Sequence, residues 1–207
     1  MISHRLKSIF VHIPKTGGTS IERTFWREDE FVEENLWMGF VSKFSCKYQT
    51  GGLQHLRASQ IRREVGQNVF DSYFKFSVVR NPWDRLVSAY HYCQRHPGLF
   101  AYAGIDTEAS FDHFLASTAK RRHVHWEPQV RFLYDDDGRC LVDKVCRFER
   151  LVDEVSGIGK KLGQKVDAVP HLGKSKRRHY SEYYDATTRA FVADRYAADI
   201  RMFHYEF

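Results

Sequence analysis

The chain has 207 residues, of which 43 % are hydrophobic and 28 % charged, and its formal net charge is +6 before eleven histidines are counted. This composition is typical of a folded globular protein and excludes a disordered one. No apolar run approaches the roughly 20 residues that a membrane helix needs, and the first residues lack the pattern of a signal peptide. We expect a single domain over residues 1–207, since chains of this length usually fold as one.

The predicted elements alternate between strand and helix. A β-branched and aromatic strand over 7–12 precedes two glycines and a helix over 19–27, and a helix over 59–65 precedes an apolar strand over 73–79. The later predicted elements are helices over 82–95, 110–117, 151–162 and 185–199 and a strand over 141–148. This alternation predicts an α/β protein in which helices cover a central parallel sheet. Ligands of such sheets bind at the carboxyl ends of the strands.

The cysteines are Cys46, Cys93, Cys140 and Cys146, and no two of them form a Cys-x-x-Cys pair. Their number and spacing indicate neither a disulfide scaffold nor a zinc site. We therefore expect free thiols, a cytoplasmic location and no bound metal.

The segment from Pro14 to Ser20 joins the first predicted strand to the first predicted helix. Its two glycines, Gly17 and Gly18, let the backbone turn tightly and approach a ligand. The helix start adds unpaired N–H groups and the positive end of the helix dipole. The charged and hydroxyl side chains of the segment are Lys15, Thr16, Thr19 and Ser20. The combination predicts a cradle for phosphate or sulfate, against the simpler alternative of a tight turn with a solvent-facing lysine.

The second candidate segment runs from Arg80 to Ser88. Arg80 follows the apolar strand over 73–79, and Ser88 lies about two helical turns into the next helix. A guanidinium and a hydroxyl placed in this way can converge on a second phosphate. From this segment alone, a structural role for both residues is equally acceptable.

Together the two segments resemble the donor-binding motifs of sulfotransferases. Residues 10–20 are similar to the 5′-phosphosulfate loop of that family, and residues 79–90 are similar to its 3′-phosphate segment. The pattern is closest to the carbohydrate sulfotransferases of the chondroitin, HNK-1 and heparan 2-O types, and weaker similarity extends over nearly the whole chain. The resemblance implies a P-loop-like three-layer α/β/α fold. It also implies the donor 3′-phosphoadenosine 5′-phosphosulfate (PAPS) and a hydroxyl-bearing acceptor, expected to be a carbohydrate.

The resemblance also implies roles for individual residues. Lys15 would meet the 5′-phosphosulfate and its bridging oxygen, residues 16–20 would hold the same group, and Arg80 with Ser88 would bind the 3′-phosphate. A loop between the late helices would close over the nucleotide, and its candidates are Lys174, Ser175 and Arg177. The chain lacks the membrane anchor and stem of the animal enzymes, so we expect a soluble bacterial-type enzyme.

His55 is the candidate base that would take the proton of the acceptor hydroxyl. It follows Gly51 and Gly52, precedes a predicted helix, and lies between the two phosphate segments. In heparan 2-O type enzymes a histidine in the corresponding region resembles a catalytic base, and a neutral imidazole suits that task near neutral pH. A helix-capping role for His55 stays open, as do His125 and His171 as other bases. We expect His12 to be structural because it alternates with core residues.

Two other classes of function are alternatives to this one. A P-loop kinase or nucleotide hydrolase carries its lysine after the glycines, whereas Lys15 precedes them, so the magnesium-binding arrangement is not expected. A nucleic-acid binding module could use the basic runs 120–123 and 174–179, but aromatic residues do not alternate with these runs as a single-strand platform requires. We therefore expect no nucleic-acid partner.

The acceptor itself is not readable from the sequence, because acceptor grooves are built from variable loops. The segments 28–52 and 96–125 are the candidates for its lining. The aromatic residues that would either stack on an acceptor or belong to the core are Trp37, Phe40, Tyr48, Phe100, Tyr102 and Trp126.

Overall fold

A computed structural model describes residues 1–37, 53–170 and 177–207. The chain divides into two units by its internal contacts. Unit 1 comprises residues 1–79 and 129–173, and unit 2 comprises residues 80–128 and 174–207. Unit 1 contains the β-sheet, and the described part of unit 2 contains helices.

Among the described residues, the sheet of unit 1 has four strands, which lie side by side in chain order. The strands are β1 Ile2–Ser3, β2 Ser8–Val11, β3 Phe74–Val79 and β4 Lys144–Arg147. The edge strand β1 runs antiparallel to β2, whereas β2, β3 and β4 are mutually parallel. The register pairs Val11 with Ser77 and Val79 with Arg147. The carboxyl ends of the three parallel strands therefore lie along one edge of the sheet, where α/β proteins bind ligands.

Apolar side chains alternate along the strands and cover one face of the sheet. Phe10, Phe76 and Val78 point to this face and are buried. They pack against the first helix after β2 and the helix after β4, through Ile21, Phe25, Val155 and Ile158. On the opposite face Lys75 donates through Nζ to the carbonyl oxygen of Phe70, at 3.2 Å, in the helix that precedes β3. Helices thus cover the sheet of unit 1 as the strand pattern predicts.

The described helices follow the strands in chain order. In unit 1 they are α1 Gly18–Phe25, α2 Ala58–Val65, α3 Gln67–Ser72, α7 Val130–Leu133 and α8 Leu151–Lys161. In unit 2 they are α4 Pro82–Arg95, α5 Pro97–Ala103, α6 Phe111–Lys120, α9 Ala186–Arg195 and α10 Ala197–Phe203. The core of unit 2 lies between α4, α6 and α9, where Leu86, Phe114 and Val192 are buried.

Most of the predicted elements are confirmed, and the helix over 82–95 has the predicted bounds. The prediction of one helix over 185–199 was wrong, because α9 and α10 are separated at Tyr196, whose φ is −109° and ψ 23°. The Tyr196 hydroxyl donates to the carbonyl oxygen of Trp126 at 2.6 Å. This buried contact accompanies the break in a pattern that favours one continuous helix.

Candidate active site

The loop after β2 lies at the carboxyl edge of the sheet. It begins at His12 and ends at Gly17, which is the N-cap residue of α1 and has a φ of 84°. A side chain is strained at this φ, so glycine suits the position. A Cβ atom there would also contact Leu151 and Phe148 at 3.0–3.1 Å. Lys15 adopts a φ of 69°, an uncommon conformation for a residue with a side chain.

Gly18 is closely packed against His12. A Cβ atom at position 18 would lie 2.0 Å from His12 Nε2 and 2.1 Å from His12 Cδ2. Real atoms do not approach this closely, so the His12 ring occupies the space that any side chain at position 18 would need. The two glycines are therefore required for different reasons, Gly17 by its backbone conformation and Gly18 by the imidazole beside it.

The N-terminus of α1 has the features of an anion site. The N-cap residue Gly17 makes no side-chain hydrogen bond to the start of the helix. The first N–H groups of a helix have no partner within the helix itself. The dipole of α1 adds partial positive charge at the same end. Of the hydroxyl side chains, Thr16 is buried and donates to the carbonyl oxygen of Ile13 at 2.8 Å, whereas Thr19 is exposed and Ser20 is buried. The Thr16 hydroxyl therefore closes the turn.

His12 is held by a buried acid beneath the loop. His12 Nδ1 lies 2.8 Å from Glu22 Oε1, and both side chains are less than a tenth exposed. The ring of His12 stacks on Phe10 with 5.3 Å between the ring centroids. The expectation that His12 is structural stands, although His12 lies just beyond β2 and supports the loop directly.

His55 contacts His12 in two ways. The two ring centroids are 4.5 Å apart with an edge-to-face orientation, and His55 Nδ1 lies 3.1 Å from the carbonyl oxygen of His12. A carbonyl oxygen only accepts, so Nδ1 carries the proton and donates. In the neutral ring Nε2 is then the nitrogen that can accept a proton. Unit 1 thus brings together the loop, His12 and the predicted base.

In unit 2, Arg80 lies two residues before the start of α4. Asn81 caps this helix, because its Oδ1 accepts from the N–H groups of Trp83 at 3.0 Å and Asp84 at 3.4 Å. Pro82 occupies the first helical position, where its fixed φ is favourable. Arg85 of the same segment is buried and donates to the carbonyl oxygens of Glu127 and Val124, at 2.8 and 3.2 Å, so its role is structural.

Arg80 and Arg177 share one carboxylate in unit 2. Arg80 donates to Asp84 Oδ2 through Nε at 2.8 Å and pairs with it through Nη2 at 2.7 Å. Arg177 donates to Asp84 Oδ1 through Nη2. Burial alone would raise the pKa of Asp84, but the charge of Arg80 and the hydrogen bond and charge of Arg177 outweigh it and hold that pKa below its usual value. One carboxylate therefore holds two guanidinium groups together at the start of α4.

Ser88 follows Asp84 by four residues on α4 and is half-buried. Residues four apart lie on the same face of a helix. The structure therefore places Ser88 on the helix face that carries Asp84, the partner of Arg80. Lys174, Ser175 and His171 lie outside the described residues, so of the predicted lid only Arg177 is described.

Three residues of this region were not singled out from the sequence as site residues. Asp84 had a readable signal, since an acid four residues after an arginine is a favourable helical pair. His12 was noted only as a core position, and Glu22 carried no signal. Their pairing depends on how the first turns of α1 pack against the end of β2, which a sequence pattern does not specify.

The aromatic candidates for an acceptor groove differ in their exposure to solvent. Phe100 and Trp126 are core residues of unit 2, at 0 % and 1 % exposure. Tyr102 is 51 % exposed, and its hydroxyl donates to the carbonyl oxygen of Arg122 at 3.0 Å. Trp37 packs on Phe31 in unit 1, with ring centroids 5.2 Å apart. Phe40 and Tyr48 lie outside the described residues.

His125, the other described candidate base, lies in a ring cluster of unit 2. Its Nδ1 is 3.1 Å from His123 Nδ1, and its ring centroid is 5.1 Å from that of Tyr92. Burial lowers the pKa of His123 to about 4, which keeps that ring neutral near neutral pH. His125 therefore belongs to a packed aromatic cluster of unit 2.

The described residues also bear on the expectations for metals, membrane helices and cysteines. Within residues 1–37, 53–170 and 177–207, no three His, Cys, Asp or Glu side chains are grouped as a metal site requires. Among the same residues, no helix has the length and apolar character to cross a membrane. Cys93, Cys140 and Cys146 are free thiols, while Cys46 lies outside the described part of the chain.

Comparisons with known proteins show the family through a sequence model and the fold through a solved structure. A sequence model of the sulfotransferase family matches residues 1–206. The crystal structure of a sulfotransferase from Alicyclobacillus acidocaldarius is similar in fold, with a TM-score of 0.50, 21 % identity, and coverage of 97 % of this chain and 96 % of that one. A protein of Archaeoglobus fulgidus, described as uncharacterized, is 32 % identical over 109 residues, which are 51 % of this chain and 81 % of that protein. The expected P-loop-like α/β fold with a central, mostly parallel sheet is confirmed.

Proposed function

The chain belongs to the sulfotransferase family, and we propose on this basis that it transfers the sulfuryl group of PAPS to a hydroxyl group of a carbohydrate. The observation that carries the proposal is the packing of Gly18 against His12, with no room for a Cβ atom between them. This packing excludes a side chain at position 18, the first residue of α1, where backbone N–H groups can meet an anion.

The donor would be held through its two anionic ends. At the 5′ end, Lys15 and the backbone and hydroxyl groups of residues 16–20 would bind the phosphosulfate. At the 3′ end, Arg80 and Ser88 would bind the phosphate. Support for the second role comes from Asp84, which holds the guanidinium groups of Arg80 and Arg177 together at the start of α4. Lys174, Ser175 and Arg177 would close over the nucleotide.

The reaction would be an in-line transfer with His55 as the base. The acceptor oxygen forms a bond to sulfur while the bond from sulfur to the bridging phosphate oxygen breaks. The acceptor proton passes to His55 Nε2, and adenosine 3′,5′-bisphosphate leaves. The contact of His55 Nδ1 with the carbonyl oxygen of His12 supports this choice of nitrogen. Lys15 would stabilise the negative charge that develops on the leaving phosphate oxygen.

The pair of His12 and Glu22 would position the base rather than react. Because Glu22 holds His12 Nδ1, the His12 ring and carbonyl oxygen that contact His55 would stay in one position. A base held in place in this way needs no reorganisation before it takes a proton. No metal enters this scheme, since lysine and backbone donors supply the positive charge.

Incubation with PAPS and a panel of acceptors tests the proposal, with mass spectrometry detecting the gain of one sulfuryl group. The panel contains neutral and acidic oligosaccharides, a phenol and a simple alcohol. We expect sulfated oligosaccharides and no product from the Lys15→Ala variant. Product on the phenol alone would contradict the carbohydrate assignment. Absence of product on every acceptor, with no binding of adenosine 3′,5′-bisphosphate, would overturn the proposed activity.

A further inference from the structure

The segment 177–184 of unit 2 contacts one face of α4 at two separate points. Asp84 and His91 are seven residues apart on this helix, so they lie on the same face, about two turns from each other. Arg177 donates to Asp84 Oδ1 at the first point. At the second, the hydroxyl oxygen of Tyr183 lies 2.8 Å from His91 Nε2, and the two rings pack edge to face with their centroids 5.5 Å apart.

The hydrogen bond between Tyr183 and His91 has a defined direction. Burial is the main reason that the pKa of His91 is lowered, and the charges of Arg177 and Arg95 lower it further, so the ring is neutral at neutral pH. The hydrogen bond to Gln94 acts in the opposite direction, which means that the ring donates to that amide. Because Nε2 faces Tyr183, Nδ1 is the donor to Gln94, and Nε2 accepts the proton of the Tyr183 hydroxyl.

These contacts restrict the position of Arg177. The influence of the Arg177 charge on the pKa of His91 shows that the guanidinium lies near that ring. The next residue after Tyr183 adds a further contact, since the Tyr184 hydroxyl donates to the carbonyl oxygen of Trp83 at 2.9 Å. Arg177 precedes Tyr183 by only six residues. The backbone that carries Arg177 is therefore tied to α4 close to the carboxylate that its side chain contacts.

We propose that His91 and Tyr183 are positioning residues, which hold Arg177 beside Arg80 so that both guanidinium groups meet the 3′-phosphate of the donor. The inference rests on the proposed function, because it takes the nucleotide to bind at the start of α4. A guanidinium that already lies in place loses less side-chain freedom when a phosphate binds, and the affinity is correspondingly higher. His91 and Tyr183 act through Arg177 and need no contact with the nucleotide.

Calorimetry with two nucleotides tests the inference. Adenosine 3′,5′-bisphosphate carries the 3′-phosphate, and adenosine 5′-monophosphate lacks it. Tyr183→Phe and His91→Phe each remove the hydrogen bond and keep an aromatic ring at its position. Tyr90→Phe is the matched control on α4, since it also removes one hydroxyl group, which donates to the carbonyl oxygen of Ala109 at 2.8 Å. A further pair of variants carries Arg177→Gln with and without Tyr183→Phe.

We expect Tyr183→Phe and His91→Phe each to weaken binding of the bisphosphate about three- to tenfold, as for the loss of one hydrogen bond. Their affinity for the monophosphate should match that of wild type, and Tyr90→Phe should bind both nucleotides like wild type. In the Arg177→Gln background, Tyr183→Phe should have no further effect on bisphosphate binding, because it acts through the residue that is already lost.

Several results would overturn the inference. These are an unchanged bisphosphate affinity in both Tyr183→Phe and His91→Phe, equal weakening for the two nucleotides, equal weakening in Tyr90→Phe, and an undiminished effect of Tyr183→Phe in the Arg177→Gln background. Failure of wild type to bind the bisphosphate would overturn the proposed function and this inference with it. Wild-type binding of the bisphosphate together with any of the other results would overturn the inference alone.

Discussion

The loop 14–20 of unit 1 is shaped by packing, whereas the segment 80–88 of unit 2 is shaped by charge. In the loop, the His12 ring excludes any side chain at position 18, and the carboxylate of Glu22 contacts Nδ1 of that ring. In the segment, Asp84 draws Arg80 and Arg177 together through both carboxylate oxygens. Changes of shape should therefore damage the first region most, and changes of charge and pH should damage the second.

The largest effect is expected from Lys15→Ala. Removal of one preorganised donor to a developing negative charge typically lowers the rate about 10²–10³-fold. We expect sulfuryl transfer to fall by at least that factor while the thermal unfolding temperature changes little, because Lys15 is only half-buried. Turnover close to wild type would show that this lysine does not meet the donor.

His55→Ala should separate chemistry from binding in unit 1. Loss of a general base typically lowers the rate about 10²–10⁴-fold, so we expect kcat to fall within that range. The affinity for adenosine 3′,5′-bisphosphate should stay the same, since that ligand carries no acceptor proton. Calorimetry and steady-state kinetics give both values. Equal loss of turnover and of nucleotide affinity would make His55 a binding residue instead of the base.

Gly18→Ala tests whether packing shapes the loop. The new Cβ atom would collide with His12, so His12 or the loop must move. We expect weaker binding of adenosine 3′,5′-bisphosphate and a loss of about 1–3 kcal/mol in the free energy of unfolding, as for an overpacked core.

Gly157→Ala provides the matched control for that change. Gly157 lies within α8 and has no atom within 4 Å of the position its Cβ would take. Alanine should stabilise the helix there by about 0.5–1 kcal/mol and leave nucleotide binding unchanged. If the two alanine variants behave alike in urea unfolding and calorimetry, the close packing of Gly18 has no functional consequence.

Asp84→Asn tests the charge-based region through the stability of the fold and its dependence on pH. The folded-state pKa of Asp84 lies below its ordinary value of 3.8. Its carboxylate therefore contributes stability that is present above the unfolded-state pKa and is lost as pH falls through the folded-state pKa. We expect the variant to be less stable than wild type by about 1–3 kcal/mol at neutral pH.

The pH dependence of urea unfolding checks this prediction. The difference between wild type and Asp84→Asn should narrow below about pH 4, where the wild-type carboxylate takes up its proton. Asp112→Asn, at an exposed position of α6, serves as the control and should change little at any pH. A constant difference between wild type and Asp84→Asn down to low pH would show that charge is not what stabilises this region.

Sequence reasoning went furthest where local signals were strong. The helix over 82–95 was predicted with its observed bounds because Pro82 marks its start and apolar residues repeat along one face. The strands around Phe10 and Phe76 were found from their apolar runs. The two-residue strand β1 was missed, since a strand this short leaves no periodic signal.

For the candidate site, the sequence predicts the loop residues that would bind an anion but not the residues that pack against that loop. The glycines and Lys15 could be chosen because an anion cradle has few chemical solutions between a strand and a helix. His12 and Glu22 are ten residues apart and belong to different elements, and they meet only in the folded chain. The local sequence pattern therefore does not predict their contact. The break at Tyr196 has the same origin, a buried tertiary contact that outweighs helical periodicity.

Calorimetry with adenosine 3′,5′-bisphosphate tests the central claim most directly, namely that Lys15 and Arg80 bind the two anionic ends of one nucleotide. Wild type, Lys15→Ala and Arg80→Gln are titrated with this nucleotide and, separately, with ATP and magnesium. The account predicts that wild type binds the bisphosphate more tightly than ATP, and that each substitution weakens bisphosphate binding about tenfold or more. Tighter binding of ATP, or wild-type affinity in both variants, would contradict it.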